Sequence, residues 1–506
     1  MKLEKGGSET VLTKIEIDGF KTFKDFKVEL APFQVIVGPN GSGKSNLFDA
    51  LKLLSHLADN DLSVAFQGLR GDIDELFTTL PGGKSVDRIR IAVEMLVDRK
   101  VQDSGGGEVE LVGEVALKRQ VALKFTRLRY ELEITLGVDE YGLERLTITH
   151  ESLKSIPQDE DNWRKKYGLS LQNNWLSETS GDQGIFIDTK LTTIAILESL
   201  ADKSTAEAKQ LLIYLYPDGD KRERIRRFYT AEVQRTVMSR VVDTEHPHVF
   251  AVREELCSLR FLHLNPESLR QPSSTKATSS LSQDGKNMPT TLARMQAEDK
   301  FALNDVSRDL ANLVPDLIDI ELRKDEVRNE YTIWASFLDG RSFSSQVLSD
   351  GTLRLLALTI LRNDPQFRGI LCIEEPENGV NPMYLKKIGQ LLRKMATDFN
   401  DPEQVDEPLR QVLITTHSPT FISQPGAIDA LLFAYTVTQI EPQKYSLQIT
   451  QMAPVVTSNT QEKLNDIDEA EESYTLHQIE RYLDSGYLDE ARKNLEIGRA
   501  SCRERV

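Results

Sequence analysis

Val35-Ile36-Val37-Gly38-Pro39-Asn40-Gly41-Ser42-Gly43-Lys44-Ser45-Asn46 decides how the rest of the chain is read. Three β-branched residues form a strand and a Gly-rich turn follows. Lys44-Ser45 then opens a helical pattern through Leu47, Ala50, Leu51 and Leu54. The spacing is G-x-x-x-x-G-K-[ST], in the strand–loop–helix order that a phosphate-binding loop requires. Glycines let backbone N–H groups crowd around a β-phosphate lodged on the helix N-terminus, where the helix dipole is positive. The loop residues Gly38, Pro39, Asn40, Gly41, Ser42, Gly43, Lys44, Ser45 and Asn46 are the nucleotide-binding candidates. Lys44 reaches the β- and γ-phosphates, and the Ser45 hydroxyl holds Mg²⁺. The plain alternative is a turn that happens to precede a lysine. The pattern implies a site for a nucleoside triphosphate.

Working outward, a second cluster lies some three hundred residues on. Leu348-Ser349-Asp350-Gly351-Thr352 precedes an apolar helical pattern (Leu353, Leu356, Leu358, Ile360, Leu361). Gly369-Ile370-Leu371-Cys372-Ile373 reads as a buried strand ending in Glu374-Glu375-Pro376-Glu377. Gln411-Val412-Leu413-Ile414-Thr415-Thr416 reads as another, ending in His417-Ser418-Pro419. Beside a phosphate loop, paired carboxylates at a strand end have a chemical meaning. The first can hold the Mg²⁺ shell, and the second can orient and deprotonate an attacking water. A histidine ending a neighbouring strand can contact the γ-phosphate. Taken singly, Ser-Asp-Gly is a helix cap, Glu-Glu-Pro a strand end and His417 a structural residue.

Size and composition bound the rest. A chain of 506 residues is too long for one ordinary core. A net charge of −17 repels phosphate backbones except at local patches. No apolar run reaches membrane-spanning length, the start has no apolar signal core, and the three cysteines are widely spaced. The expected location is the cytoplasm, with no membrane partner. Residues 11–17, 26–38, 88–97, 109–117, 122–136 and 144–149 read as strands, making 1–150 a β-rich lobe. Residues 151–257 read as a mainly helical insertion, with helices over 192–215 and 220–243 drawn from apolar spacing at Ile194, Ile196, Leu197 and Leu200 and again at Leu211, Leu212 and Leu215. Residues 271–287 read as a flexible loop, and 258–455 as a second lobe with strands near 318–322 and 330–334. Residues 456–506 form an acidic tail whose last residues, 498–506, have the composition of a cloning scar. Lys221-Arg222-Glu223-Arg224-Ile225-Arg226-Arg227 is either a phosphate-gripping patch or a solvated face, and Tyr214, Tyr216 and Phe228 either stack bases or pack in a core.

Taken together, these residues make the chain resemble the ABC-class ATPases. Gly38–Asn46, Leu348–Thr352, Ile373–Glu377 and His417 look like their Walker A, signature, Walker B and switch-histidine motifs. Ile15-Glu16-Ile17-Asp18-Gly19-Phe20-Lys21-Thr22-Phe23 before the loop is similar to the SMC/RecF branch. Asn265-Pro266, Leu269-Arg270 and Asp284-Gly285-Lys286-Asn287 resemble the stand-alone bacterial AAA-family ATPases related to overcoming-lysogenisation-defect protein heads. The resemblance implies an α/β fold, a P-loop ABC-type ATPase head with a β-rich N-terminal lobe and an α/β core, split by the insertion. It implies ATP as substrate with Mg²⁺ held by Ser45 and Glu374, Glu375 as base, His417 at the γ-phosphate, and Arg70 as an arginine-loop contact to nucleotide or DNA. Gln67 is the candidate glutamine of the Q-loop by type, with Glu151 nearer the branch's usual position. Leu348, Ser349, Asp350 and Gly351 would complete a partner subunit's site, so that ATP closes a homodimer. The output would be DNA engagement or control of a partner effector such as a nuclease. The alternative is a nucleotide-sensing scaffold with little turnover. Two departures stand out. Glu374 replaces the usual aspartate, and no sustained heptad marks the branch's coiled coil. The Asp466-Ile467-Asp468 triplet lies in an acidic run rather than at a strand end, so no nuclease site is expected there.

Overall fold

The computed structural model describes residues 10–456 and 474–475, apart from 103–109, 113–114, 118–119, 139–140, 170–175, 177–182, 200–203, 218–224, 231–232, 279, 382–383, 402–403, 405–408, 418–429 and 441–445. At its centre is a seven-stranded sheet in the order Arg260–Leu262, Gly369–Glu374, Arg410–Thr416, Phe33–Val37, Leu431–Ile440, Ser446–Val456, Tyr474–Thr475. The first five strands run parallel, and Ser446–Val456 returns antiparallel. Their near-continuous apolar runs suit a sheet covered on both faces. Side chains alternate across a strand, and here they feed two cores. Ile36, Cys372 and Leu413 join the phosphate-loop helix Lys44–Leu57 on one face. Val35, Val37, Leu371, Ile373, Val412 and Ile414 join the helices Asp350–Asn363 and Leu385–Arg393 on the other.

An eight-stranded antiparallel sheet caps the first core, in the order Arg226–Tyr229, Ser204–Leu215, Ile185–Ser199, Glu144–Ser155, Arg127–Val138, Arg88–Val97, Thr10–Asp18, Phe26–Glu29. A buried amide ties the two sheets together. Gln411 accepts from Leu12 N–H at 2.9 Å and donates to the Leu12 and Ala31 carbonyls at 2.7 and 2.9 Å. With both amide donors and its carbonyl oxygen engaged, a fully buried glutamine is tolerable there.

The α/β class and the β-rich N-terminal lobe are as expected, but the insertion is not mainly helical. Ile185–Ser199 and Ser204–Leu215 form a β-hairpin, registered from Ile187↔Leu215 to Ser199↔Ser204, on the edge of the antiparallel sheet. Thr192-Thr193-Ile194-Ala195-Ile196 explains the difference. Its β-branched residues are stiff in a helix and suit a pleated surface, and Ile194/Ile196 repeat every two residues rather than every three or four. In the supposed second helix, Arg226–Tyr229 is a strand and Met238–Arg240 a single 3₁₀ turn. Among the described residues, the α-helices in the insertion are Asn162–Lys166 and Pro247–Cys257. The boundary at 150 cuts through the strand Glu144–Ser155. The 271–287 stretch is also ordered. Ser273–Ser274 pairs with Tyr331 and Glu330 of the Leu317–Asp325/Glu330–Phe337 hairpin. Asn287 Nδ2 donates to the Thr278 carbonyl at 2.7 Å. Residues 456–473 and 476–506 of the tail are, but for Val456, outside the described residues, as are Asp466-Ile467-Asp468. No helix among the described residues is long and apolar enough to cross a membrane.

Candidate active site

The phosphate loop sits where the central strand Phe33–Val37 ends and the helix Lys44–Leu57 begins. Its glycines are there for space. A Cβ at Gly38 would stand 2.3 Å from the Ala434 carbonyl oxygen, and one at Gly43, whose φ is +89°, only 2.0 Å from Thr450 Oγ1. Two features suit this cradle to a polyanion. The helix N-terminus has no side-chain cap, and the buried Ser42 Oγ has no hydrogen-bond partner among the described residues. Lys44 folds back into the loop, donating to the carbonyls of Gly38 at 2.7 Å and Pro39 at 2.8 Å. Burial lowers its ammonium pKa, while the charges of Glu375 and Glu377 pull the other way. Ser45 follows it on the first turn. Asn46 donates to Thr22 Oγ1 at 2.9 Å, and that hydroxyl meets Thr450 Oγ1 at 2.7 Å. Beside this hydroxyl chain, Lys21, Thr22, Arg70, Phe77 and Leu447 line a cleft of about 390 Å³.

The carboxylates come from the neighbouring strand ends. Gly369–Glu374 and Arg410–Thr416 run parallel beside the central strand, so all their C-terminal ends open on the loop. The backbone turns sharply between the paired glutamates, with Glu375 at φ +45°. The two side chains therefore serve different neighbours. Glu374 Oε1 lies 3.9 Å from Arg70 Nη2, which also sits 3.2 Å from Asp49 Oδ1. Glu375 Oε2 accepts from Asn378 Nδ2 at 2.7 Å, and its Oε1 is 3.1 Å from His417 Nδ1. Burial pushes the Glu375 carboxyl up, but Asn378, His417 and the Lys44 charge together hold it below the usual carboxylate range.

Glu377, to which sequence reasoning gave no role, is the most buried of the three acids, at 8 % exposure. It accepts from the Thr416 hydroxyl and, at 3.4 Å, from the His417 backbone N–H. Its signal was present in the acid two residues after Glu375, beyond Pro376. The three acids do not by themselves form a cation cage, since among the described residues no three acidic, histidine or cysteine side chains converge tightly enough to hold a metal. That donor set suits Mg²⁺, which dehydrates reluctantly and shares its shell between one or two carboxylates and substrate phosphates.

Other candidates fall elsewhere. Ser349 caps the helix Asp350–Asn363, accepting from Thr352 N–H at 3.2 Å, and is exposed. Arg270 braces this turn through the Leu348 carbonyl and Asp350. No hydrogen bond links Leu348–Gly351 to the loop among the described residues. Gln67 ends the helix Leu62–Gln67, exposed, and makes no hydrogen bond to the loop or the acids among the described residues. Glu151 is fully buried and committed elsewhere, accepting from Val237 and Met238 N–H at 2.7 and 2.9 Å and from Tyr130 at 3.2 Å. Burial, opposed by those bonds, raises its pKa to about 7. Tyr214 and Tyr216 stack 6.1 Å apart, with Arg227 over Tyr214 at 5.7 Å, whereas Phe228 packs against the core. Residues 221–224 of the basic run are outside the described residues.

Two family profiles match the chain. One, described as "AAA domain", covers residues 14–212. The other, described as "AAA domain, putative AbiEii toxin, Type IV TA system", covers 214–423. Among curated proteins, the DNA replication and repair protein RecF of Aliivibrio fischeri (strain MJ11) is 27% identical over 172 residues, 33% of this chain and 46% of that protein. The chromosome partition protein Smc of Rhodopirellula baltica is 34% identical over 150 residues, 26% of this chain and 12% of that protein. The chain thus matches less than half the length of these relatives. A solved Smc head domain with an extended coiled coil, derived from Pyrococcus furiosus, covers 91% of this chain and 100% of its own at 11% identity and a TM-score of 0.43. AAA-type domain matches therefore span both lobes, and SMC and RecF proteins are relatives.

Proposed function

We propose that the protein is an ATP-hydrolysing switch that dimerises on ATP and couples closure to DNA engagement or to control of an effector protein. One observation carries the reading. Lys44, Glu375 and His417, from three elements far apart in sequence, meet at the mouth of one glycine-lined loop. The triphosphate would lie across the N–H groups of residues 38–46, with the nucleoside directed to the cleft beside Thr22 and Phe77. Ser45 and Glu374 would hold Mg²⁺, whose part is to neutralise charge on the phosphates. Glu375, kept ionised by its neighbours, would take the proton of the attacking water, and His417 would sense the terminal phosphate. Glu377 fixes the backbone from which His417 projects.

A partner subunit's Ser349 turn would complete each site, and the exposure of Ser349 leaves its hydroxyl available for the purpose. The RecF and Smc relatives favour a DNA-linked output over other uses of an ATPase head. The relation to overcoming-lysogenisation-defect heads rests on the resemblance of residues 265–287, and the choice of anti-phage defence over DNA maintenance rests on family analogy alone. A second reading, a nucleotide-sensing scaffold with slow turnover, is favoured by the 3.9 Å approach of Arg70 to Glu374, which occupies the metal-holding acid. Phosphate release with and without DNA separates the two. The decisive test is Lys44→Ala. Removing a charged donor worth about 1.5–3 kcal/mol should weaken ATP binding roughly ten- to a hundredfold in a folded protein. Unchanged binding by calorimetric titration would show that the loop holds something else.

A further inference from the structure

Two buried charged atoms beside the site lack partners. Arg354 Nε is on the helix Asp350–Asn363, five residues after Ser349, and Glu377 Oε2 is in the turn after the Gly369–Glu374 strand. Neither has a hydrogen-bond partner among the described residues. They lie across one tight seam. A Cβ at Gly379 would stand 3.8 Å from Arg354 Nε, and a Cβ at Gly351 would stand 3.2 Å from the Gly379 carbonyl oxygen. Burial lowers the Arg354 pKa, and the charges of Asp350 and then Glu377 act against it, so the two groups already feel each other. Asp350 is engaged by Arg270, and the other oxygen of Glu377 is engaged by Thr416 and His417. Arg354 is only partly buried and the Glu377 carboxylate is held through its other oxygen, so what stays unsatisfied is one buried donor and one buried acceptor, a cost that an ion pair made in a second conformation would remove.

We propose that Arg354 and Glu377 pair when nucleotide binds, locking the Ser349-capped helix to the turn that carries Glu375. The inference rests on the ATP-switch reading and deepens it. The nucleotide state sensed at His417 in one site would be passed through Glu377 and Arg354 to the serine offered to the other. Both are positioning residues, since each acts through another group. The coupling is between two elements that rearrange together, so its signature is thermodynamic.

The test is a double-mutant cycle on Mg-ATP affinity with Arg354→Gln, Glu377→Gln and the double variant, measured on the full chain. Because the cycle reads binding, it isolates the part of the interaction that appears only with nucleotide. Each single change should weaken binding about tenfold and the double change also about tenfold, the size of coupling expected for contacting charges. Arg354→Lys, which keeps the charge, should recover most of the loss. If Arg354→Gln does not fold, Arg354→Lys completes the cycle, with a smaller coupling expected. A roughly hundredfold loss in the double variant, or no loss in the single ones, would overturn the pair. Light scattering of the wild type with Mg-ATP is read alongside. Coupling without an ATP-dependent dimer would sink the sandwich and keep the pair, whereas a dimer with additive losses would do the reverse. No Mg-ATP binding at all would overturn both.

Discussion

Glu375 occupies a left-handed conformation, at φ +45°, that costs a non-glycine residue about 1 kcal/mol. The turn lets two adjacent acids, which a regular strand would aim at opposite faces, both open toward the loop while meeting different neighbours. Glu374 turns toward Arg70, and Glu375 toward His417 and Asn378. Their substitutions should therefore differ in kind. Glu375→Gln keeps shape and hydrogen bonding but cannot accept a proton, so hydrolysis should fall on the order of 10²-fold or more. Binding should persist, and the closed ATP dimer should accumulate on gel filtration. Glu374→Gln should weaken Mg²⁺-dependent binding and trap no dimer. Trapping by Glu374→Gln instead would assign the base to the wrong acid. Because its neighbours hold Glu375 below the ordinary carboxylate range, the acid limb of the rate profile should lie below that range as well.

Among the elements, the strands Thr10–Asp18, Arg88–Val97 and Arg127–Val138 carry a ladder of ion pairs. Arg129 Nη2 lies 2.6 Å from Glu16, Lys14 2.9 Å and Arg90 3.5 Å from the same carboxylate. Burial pushes the Glu16 carboxyl up, but Arg129 and Lys14 win and hold it at about 2, against an ordinary 4.5. A depressed acid stabilises the fold above its unfolded pKa, and that contribution is lost as pH falls through the folded one. Glu16→Gln should thus cost on the order of 1 kcal/mol at neutral pH, allowing for solvent screening. The difference should vanish between pH 4.5 and about 2 in urea titrations. A difference that stays constant down to pH 2 would remove the ladder from the account. At this scale the sequence was legible where one physical signal dominated. Val35–Val37 and Ile370–Ile373 announced strands by unbroken apolarity, and the structure sets them in one parallel sheet. Residues 192–215 misled because leucines clustered at 197, 200, 211, 212 and 215 imitate a helical face. The β-branched Thr192–Ile196 run and its alternation carried the better information. Glu377 stood in the acidic run after Pro376, but what it and Arg354 do together was not legible, because it lies in a seam between segments distant in sequence.

For the whole molecule, the question is whether one chain can complete its own site. The serine-capped turn at Ser349 is exposed and braced from behind by Arg270, while Lys44 and Glu375 open on the loop mouth. Among the described residues no hydrogen bond joins the two, and in the proposed sandwich a second copy would bring its Ser349 turn to the loop. With a net charge of −17, two free subunits repel each other and any nucleic acid. A bound nucleotide can outweigh this only through short-range contacts in the closed sandwich. DNA affinity should therefore require Mg-ATP and fall steeply with salt. Ser349→Arg tests the geometry directly. Losing the cap costs the helix about 1 kcal/mol, which a helix with eight buried residues should survive. The new side chain would thrust a bulky cation into the space meant for the partner's terminal phosphate. ATP binding by the monomer should stay within about threefold of wild type, a difference of under 1 kcal/mol. The ATP-dependent doubling of mass in light scattering should disappear, and hydrolysis should fall with it. A Ser349→Arg protein that still dimerises with Mg-ATP would place the subunit contact elsewhere and leave each site to work alone.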